Sequence, residues 1–446
     1  MTSLLQIAAS GVAAAAAQLN TTSQNIANAS TTGYVRETVS TVELANTSSM
    51  GTVGTASSQG VMVTGIHRNV DTYLQSEARR TNSDAARADA LVTGLTAIDN
   101  SVENSNVYNT ITSFESALTA LAANPTNSSL RSNVVSTGAT MAQSFNEASS
   151  ALSQTMSGLQ SEAGAGVSQI NTLATNLAQL NQRISADTDP ANDSAALYNQ
   201  RDTLLQQLSN YADITSTLSA NGTVSVAMGG SSPQSLVTAT GGTSTLTTTT
   251  ASDGTISFAL GGTPITVAGG SLAGQQQALA SGAGNVTSLN TIAKAMITAA
   301  NTAQTGGVDL NGTAGTAMFS GSGANDIAMA LTSGSQVVTA AAGSVANSQN
   351  ATQLTSLSTA LAASNGPAAQ MNDLYFATSS AVSTNTTTQT TLDAIAANAK
   401  TQLANSAGVN LDTEAANLVQ FQQAYQASAK VIQVASDLFS QILQIS

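Results

Sequence analysis

Residues 418–442, LVQFQQAYQASAKVIQVASDLFSQI, decide how this chain is read. Leu418, Phe421, Tyr425, Ser428, Ile432, Ala435, Phe439 and Ile442 recur at alternating intervals of three and four. That is the a/d seam of a coiled coil, which one helix cannot bury alone. Lys430 and Asp437 fall at f, directly away from the seam. Ala424, Val431, Leu438 and Ile445 fall at g and widen the apolar face beyond what one partner covers. The front of the sequence repeats the pattern with Leu5, Ala8, Val12, Ala15, Leu19, Thr22 and Ile26, and carries no charge before Arg36. An antiparallel or parallel pair inside a globular domain would use one such stripe. Two wide stripes point to further burial by neighbouring subunits.

Composition narrows the rest. The chain has 446 residues, enough for two to four domains. Charged residues make up 8% and aromatics 3%, too apolar for disorder and too poor in large side chains for a dense core. A net charge of −13 opposes binding to nucleic acid or to an anionic membrane surface. Cysteine is absent, which removes disulfides and thiolate metal sites. The apolar stretch 7–17 lacks a preceding Lys or Arg, so no cleaved secretory leader is expected. It is also shorter than the roughly twenty residues that span a bilayer.

Outward from the ends, 35–66 reads as extended, rich in Thr and Val and punctuated by glycine. Residues 73–211 read as helical, broken at Asn124-Pro125 and again at Asp187–Pro190. Between 213 and 275, short Thr/Val/Ile runs alternate with Asn221-Gly222, Asp253-Gly254 and several Gly-Gly pairs, the signals of tight hairpins. Those hairpins are expected to close locally and to tolerate shortening better than either end of the chain. Helix resumes over 286–303, a Gly-rich loop follows, and a last helical region runs from about Ala368, interrupted near Gly408. The expected class is α+β, mainly α: paired terminal coiled-coil helices, a long helical bundle domain and a small inserted antiparallel β section. The expected division is 1–60 with 388–446 as a terminal assembly domain, 61–212 with 276–387 as a helical domain, and 213–275 as the β-hairpin section. The assembly interface is expected at Leu5, Val12, Leu19, Ile26, Leu418, Phe421, Tyr425, Ile432, Phe439 and Ile442.

Catalytic equipment is scarce. The single histidine, His67, ends an extended stretch beside Arg68. Gly269-Gly-Ser271-Leu-Ala273 lacks the last glycine of a nucleophile elbow and follows hairpins. Asp187, Asp189 and Asp193 lack the central glycine and terminal glutamate of a calcium loop, and Pro190 intrudes. Gly321-Ser-Gly323 is too short for a dinucleotide fingerprint. No catalytic, cofactor or metal site is expected, and the chain reads as no enzyme.

Ser10-Gly11, then Asn25-Ile26-Ala27-Asn28 and Gly33-Tyr34-Val35-Arg36, resembles the signature of the bacterial flagellar axial family of rod, hook and hook-associated proteins. Rod and hook members usually continue Gly-Phe-Lys, whereas Gly33-Tyr34-x-Arg36 is similar to the hook-associated branch. The tail from Ser406-Ala-Gly408 through Glu414 and Tyr425-Gln-Ala-Ser-Ala-Lys430, and the middle element Gln200-Arg201-Asp202, agree with that branch. Larger members carry an outer domain after a loop resembling Val308-Asp309-Leu310-Asn311-Gly312, and here it looks missing or reduced.

The resemblance implies a structural component of the flagellum that joins hook to filament and serves motility. It further implies secretion by type III export, an export chaperone before it, and a final place at the distal end of the hook. The implied partners are other copies in a ring or axial stack, the hook protein and a second hook–filament junction protein, with no nucleic acid and no membrane. Another axial component, hook or distal rod, is the alternative; a secreted Thr/Ser-rich adhesin would explain the composition but not the matched ends.

Overall fold

The computed structural model describes residues 2–31, 33–44, 60–187, 194–230 and 232–445, with side chains from Leu4 to Gln441. The side chains of Ile442 and Ile445, and residues Asp189, Pro190 and Asp193, lie outside the described residues. The first half runs α1 (Thr2–Asn28), β1 (Glu37–Glu43), β2 (Val61–Arg68), α2 (Thr72–Glu103), α3 (Val107–Ala123), α4 (Ser128–Ala186) and α5 (Ala195–Tyr211). Six strands follow: β3 (Ile214–Leu218), β4 (Val224–Met228), β5 (Gln234–Val237), β6 (Leu246–Thr250), β7 (Ile256–Leu260) and β8 (Thr263–Ile265). The chain then returns to helices α6 (Gly270–Thr305), α7 (Thr352–Leu361), α8 (Pro367–Ala407) and α9 (Leu411–Ile445). The class is therefore α+β and mainly α.

Helix α4, 59 residues long, spans about 90 Å at 1.5 Å per residue. Asn127 starts it by accepting from the amides of Ser129 and Leu130. Its apolar stripe threads two cores. One gathers Phe114, Phe145, Leu289, Met296 and Leu357 from α3, α4, α6 and α7. The other gathers Leu152, Leu177, Leu205, Leu272 and the inward faces of the strands. Arg131, wholly buried beside the first core, donates to the carbonyls of Pro125 and Val337, both at 2.6 Å, and so fixes the irregular 306–351 segment.

The β section forms two antiparallel sheets, ordered β3-β4-β5 and β6-β7-β8. Each is pinned to α4 by one asparagine. Asn181 donates to the carbonyls of Val224 (2.8 Å) and Thr238 (3.1 Å) and accepts from the Val224 amide. Asn171 exchanges the same pair of bonds with Leu246. The two lie ten positions apart, close to three helical turns, so both face the strands. Val224, Val226, Leu236, Leu246, Phe258 and Leu260 are buried in the helical core. The hairpins close locally, each strand pairing with its neighbour in sequence, but their inward faces are core, and β7 is a central strand whose removal would open the body.

Several boundaries fall elsewhere than the sequence pattern suggests. Asn106, in the left-handed region at φ 58, separates α2 from α3 within a stretch read as continuous. Helix α6 begins at Gly270, which puts Ser271 in a helical first turn rather than in a hairpin. Helix α7, with Leu354, Leu357 and Leu361 buried, lies in a stretch to which the sequence pattern assigns no element. Strand β2 pairs with β1 from Glu37↔Arg68 to Glu43↔Val61, so the ribbon crosses position 60. Helix α8 runs unbroken across 387, with no buried side chain between Thr378 and Ala399.

Replacing Asn181 with alanine strands two buried backbone groups, the amide and the carbonyl of Val224, while Thr238 O keeps the Gly241 amide. The expected loss is about 2–4 kcal/mol, read as a lower urea midpoint of the helical body by circular dichroism; an unchanged midpoint would remove Asn181 from its pinning role.

Candidate assembly site at the paired ends

Helices α1 and α9 pack antiparallel. A Cβ on Gly11 would sit 2.9 Å from the Ser428 hydroxyl, and the other end of the pair brings Asn25 to Glu414. The seam closes on its small members: Ala8, Ala15 and Ala435 are buried, and Thr22 with them. Because alanine, serine and glycine set the separation, the larger seam residues lie to the flanks. Leu5, Val12, Leu19, Leu418, Phe421 and Ile432 are half-buried, while Ile26, Tyr425 and Phe439 stay exposed. The periodicity thus names the right face, but its centre is made by the weakest hydrophobes.

The Ser10-Gly11 and Asn25–Arg36 elements explain how the pair is closed. Ser10 donates to Ile7 O at 2.8 Å and accepts the Val61 amide at 3.2 Å, seating the β1–β2 ribbon on α1. Asn25, 1% exposed, donates to Glu37 O at 2.8 Å and to Glu414 Oε2 at 3.2 Å. It accepts from the Glu37 amide and the Tyr34 hydroxyl, both at 2.9 Å. Arg36 Nε meets Glu414 Oε1 at 2.6 Å, with the Glu414 side chain only 1% exposed. The Arg36 amide donates to Ala407 O, tying in the end of α8. Asn25, Tyr34, Arg36 and Glu414 therefore form one buried clasp across both ends of the chain.

Ile26, Ala27 and Asn28 do not join it. Ile26 and Ala27 are exposed, and Asn28 bonds back to Gln24 O. Gly33 (φ 82) meets α5, where any Cβ would collide with Thr203. Its loop therefore abuts the helix that carries Gln200-Arg201-Asp202.

Asp202 is the hub of a second buried cluster. It accepts from Arg68 at 2.8 Å, from Gln75 at 3.1 Å and from Arg201 at 2.8 and 3.0 Å. Arg201 also donates to Gly222 O at 2.6 Å, and both guanidiniums lie over the Tyr198 ring. Burial pushes the Asp202 carboxyl up, but the charges of Arg201 and Arg68 and their hydrogen bonds outweigh it, and its pKa lies below the ordinary value. The cluster joins β2, α2, α5 and the first sheet.

A groove of about 200 Å³ opens beside the clasp, lined by Gln18, Thr21, Thr22, Thr38, Val39 and Phe421 among others. Of its charged lining residues, Arg36, Glu37 and Glu414, the first and last are committed to each other. No group of His, Cys, Asp or Glu able to hold a metal ion occurs among the described residues, and none of the described helices is long and apolar enough to cross a membrane. His67 is exposed on β2. The arrangement holds ends together; it offers no paired acid and base. Sequence reasoning missed Glu37, Glu414 and Asp202 as partners. The available signal was a lone Arg36 in an uncharged stretch and a carboxylate in the first turn of an apolar helix.

Three family models match this chain. The one described as "Flagellar hook-associated protein FlgK helical domain" matches residues 94–319. "Flagella basal body rod protein" matches 5–34, and "Flagellar basal body rod FlgEFG protein C-terminal" matches 402–445. The flagellar hook-associated protein 1 of Bacillus subtilis is 26% identical, over 98% of this chain and 97% of its own length. That of Escherichia coli is 28% identical over 51% of this chain and 42% of its own length. A solved flagellar hook junction protein FlgK from Burkholderia pseudomallei covers 55% of this chain and 46% of its own, at 23% identity and a TM-score of 0.49.

Asp202→Asn leaves two nearly buried guanidiniums uncompensated, and stability should fall by about 3–5 kcal/mol at neutral pH. The wild-type contribution is complete well above the ordinary carboxylate value of 3.8. As pH falls below it, the unfolded chain takes up the proton first, and the contribution is lost as pH passes through the lower folded value. Urea midpoints at pH 7 and pH 3 should therefore differ less in Asp202→Asn than in wild type; equal differences would contradict the cluster.

Proposed function

The chain belongs to the family of flagellar hook-associated protein FlgK, structural components of the hook–filament junction, and from that premise we propose that its paired ends build it into that junction. One observation carries this reading: Ile26, Tyr425 and Phe439 remain exposed on a helix pair whose own seam is already closed and clasped. An apolar stripe left outside a finished pair is a surface for other subunits.

The role is that of hook-associated protein 1, a structural adaptor that turns over no substrate. Self-association and flagellar assembly partners accord with the axial family to which both ends are similar. In the finer reading, copies form a ring or axial stack at the distal end of the hook. They meet the hook protein on one side and a second hook–filament junction protein on the other. The chain reaches that place by type III export, held by a chaperone beforehand. Residues 1–60 with 388–446 serve as the assembly domain, with β2 completing its ribbon. Residues 61–212 with 276–387 form the helical domain, and 213–275 the β section.

A deletion strain should make hooks without filaments and release unpolymerised flagellin; loss of hooks would favour a rod or hook role instead. Complementation then tests the surface. Ile432 is half-buried on the seam, and Ile432→Asp places an unpaired carboxylate there at a cost of about 3 kcal/mol or more. Gln433 is exposed, and Gln433→Asp should cost about 0.5 kcal/mol or less. Only the first should leave bare hooks. Equal filament recovery by both would refute the paired ends as the assembly surface.

A further inference from the structure

The groove beside the clasp is rich in acceptors and short of positive charge. Thr21, 3% exposed, lines it with a hydroxyl that has no hydrogen-bond partner among the described residues. Other hydroxyls of α1 turn back onto their own helix, Ser10 to Ile7 O and Ser23 to Leu19 O. Thr21 does not. Around it stand the carboxylates of Glu37 and Glu414 and the amide side chains of Gln18 and Asn417. Against them is the single guanidinium of Arg36, whose Nε is taken by Glu414. Two carboxylates, one cation and an unused hydroxyl make a setting for a further positive charge with several protons to donate.

The terminal helices supply one such group. Helix α1 carries no charge, and Lys430 is the one cation on α9. Lys430 is exposed and bonds only to Gln433, at 3.1 Å, among the described residues. It cannot serve its own groove. Glu414, Asn417 and Phe421 follow one another by three and four and share the groove side of α9. Lys430 comes nine residues after Phe421, about two and a half turns, which puts it on the opposite side of the helix and about 14 Å along the axis. The lysine must therefore reach a second copy. A chain of net charge −13 repels its copies in general, so a cation set against an acidic groove is where two of them can meet. Asp437 lies one heptad beyond Lys430, about 10 Å further along, and falls past the end of the groove when Lys430 is in it.

We propose that Lys430 of one copy enters the groove of a neighbouring copy and donates to Thr21 and to the acidic side chains around it. Lysine and groove lie on different sides of one helix, so the contact is heterologous and repeats from copy to copy rather than closing a two-fold pair. Parallel neighbours joined this way are offset by about 14–20 Å along α9, the distance from Lys430 back to Phe421 and Asn417. This rests on the junction reading and names a contact between copies within it. One lysine in one groove is far below what a free dimer needs. The contact therefore forms between copies already held in the assembly, and it must be tested there.

The chain has no cysteine, so introduced thiols report alone. Thr38 on the groove wall and Gln433 beside Lys430 are both exposed. Thr38→Cys and Gln433→Cys are placed together in the full chain, expressed in the deletion strain, and isolated flagella are treated with a short bis-maleimide. The expected result is a ladder of dimers, trimers and higher species, with each single-cysteine variant monomeric. Lys430→Gln should lower the ladder about three- to tenfold, and Lys430→Arg should keep it. Thr21→Val separates docking from folding, because it removes a buried hydroxyl that has no partner among the described residues. The urea midpoint of the isolated chain should hold or rise while the ladder falls about two- to threefold. If Thr38→Cys does not assemble, Gln18→Cys on the groove wall takes its place. Filament-bearing flagella that contain the chain but give no ladder, or a ladder indifferent to Lys430→Gln, would overturn the docking and leave the junction role intact. So would a ladder lowered by Lys400→Gln instead, Lys400 being the other exposed lysine of the terminal section. Dimers from a single cysteine would replace the docking with a two-fold contact. A chain absent from isolated flagella, in a strain whose filaments grow regardless of its deletion, would overturn both.

Discussion

Asn25 must satisfy a buried carboxamide, and the two ends of the chain are arranged around that need. Its oxygen takes the Glu37 amide and the Tyr34 hydroxyl, and its nitrogen reaches Glu37 O and Glu414. Each of those groups is costly to leave dry and unpaired. An apolar seam of Ala8, Ala15, Ser428 and Ala435 could slide by a heptad with little change in packing, because its members are nearly alike. The clasp cannot slide. Only one register brings Glu414 to both Asn25 and Arg36, and that register then places Gly11 at Ser428. Burial makes the contact between the helices; hydrogen bonding chooses which contact it is.

The same division of labour recurs in the body. Leucines and valines along α4 supply the area, while Asn171, Asn181 and Arg131 say where each strand and loop must lie. Asp202 does this between sections, fixing β2 and α2 to α5 through Arg68, Gln75 and Arg201. A chain short of large side chains thus gains definition from buried polar groups partnered by backbone or by opposite charge.

How much of this was legible depends on the range of the interaction. The helices at the two ends, the hairpin signals between 213 and 275 and the breaks at Pro125 and Gly408 rest on local patterns and appear in the structure where they were read. The motif residues Asn25, Tyr34 and Arg36 were recognisable as a signature, but their joint partner, Glu414, lies 378 residues beyond Arg36. No spacing rule links positions so far apart. Tyr425 and Phe439 were expected at the seam because large apolar residues usually lead there; Gly11 brought the helices too close for them. The break at Asn106 was missed because a left-handed asparagine leaves no trace in hydrophobic periodicity. Helix α7 was missed despite Leu354, Leu357 and Leu361, since the Gly-rich segment before it dominated the reading.

Helix α8 links the paired ends to the body, and its middle is built unlike either. Thr386, Thr387, Thr388, Thr390 and Thr391 each turn their hydroxyl onto the carbonyl four residues back. Such bonds loosen and bend helices. No side chain between Thr378 and Ala399 is fully buried, but the stretch lies along α2: Ala381 and Val382 pack against the core, Ser379 donates to Asp99 at 3.1 Å and Gln389 to Asp89 at 2.8 Å. The flanking anchors are firm: Met371 and Leu374 sit in a core, and Ala407 is held by Arg36. A load carried from the ends to the body therefore runs along a shallowly seated helix between two deeper mounts. Along this stretch the load is shared with α2 through Asp89 and Asp99 rather than borne by α8 alone.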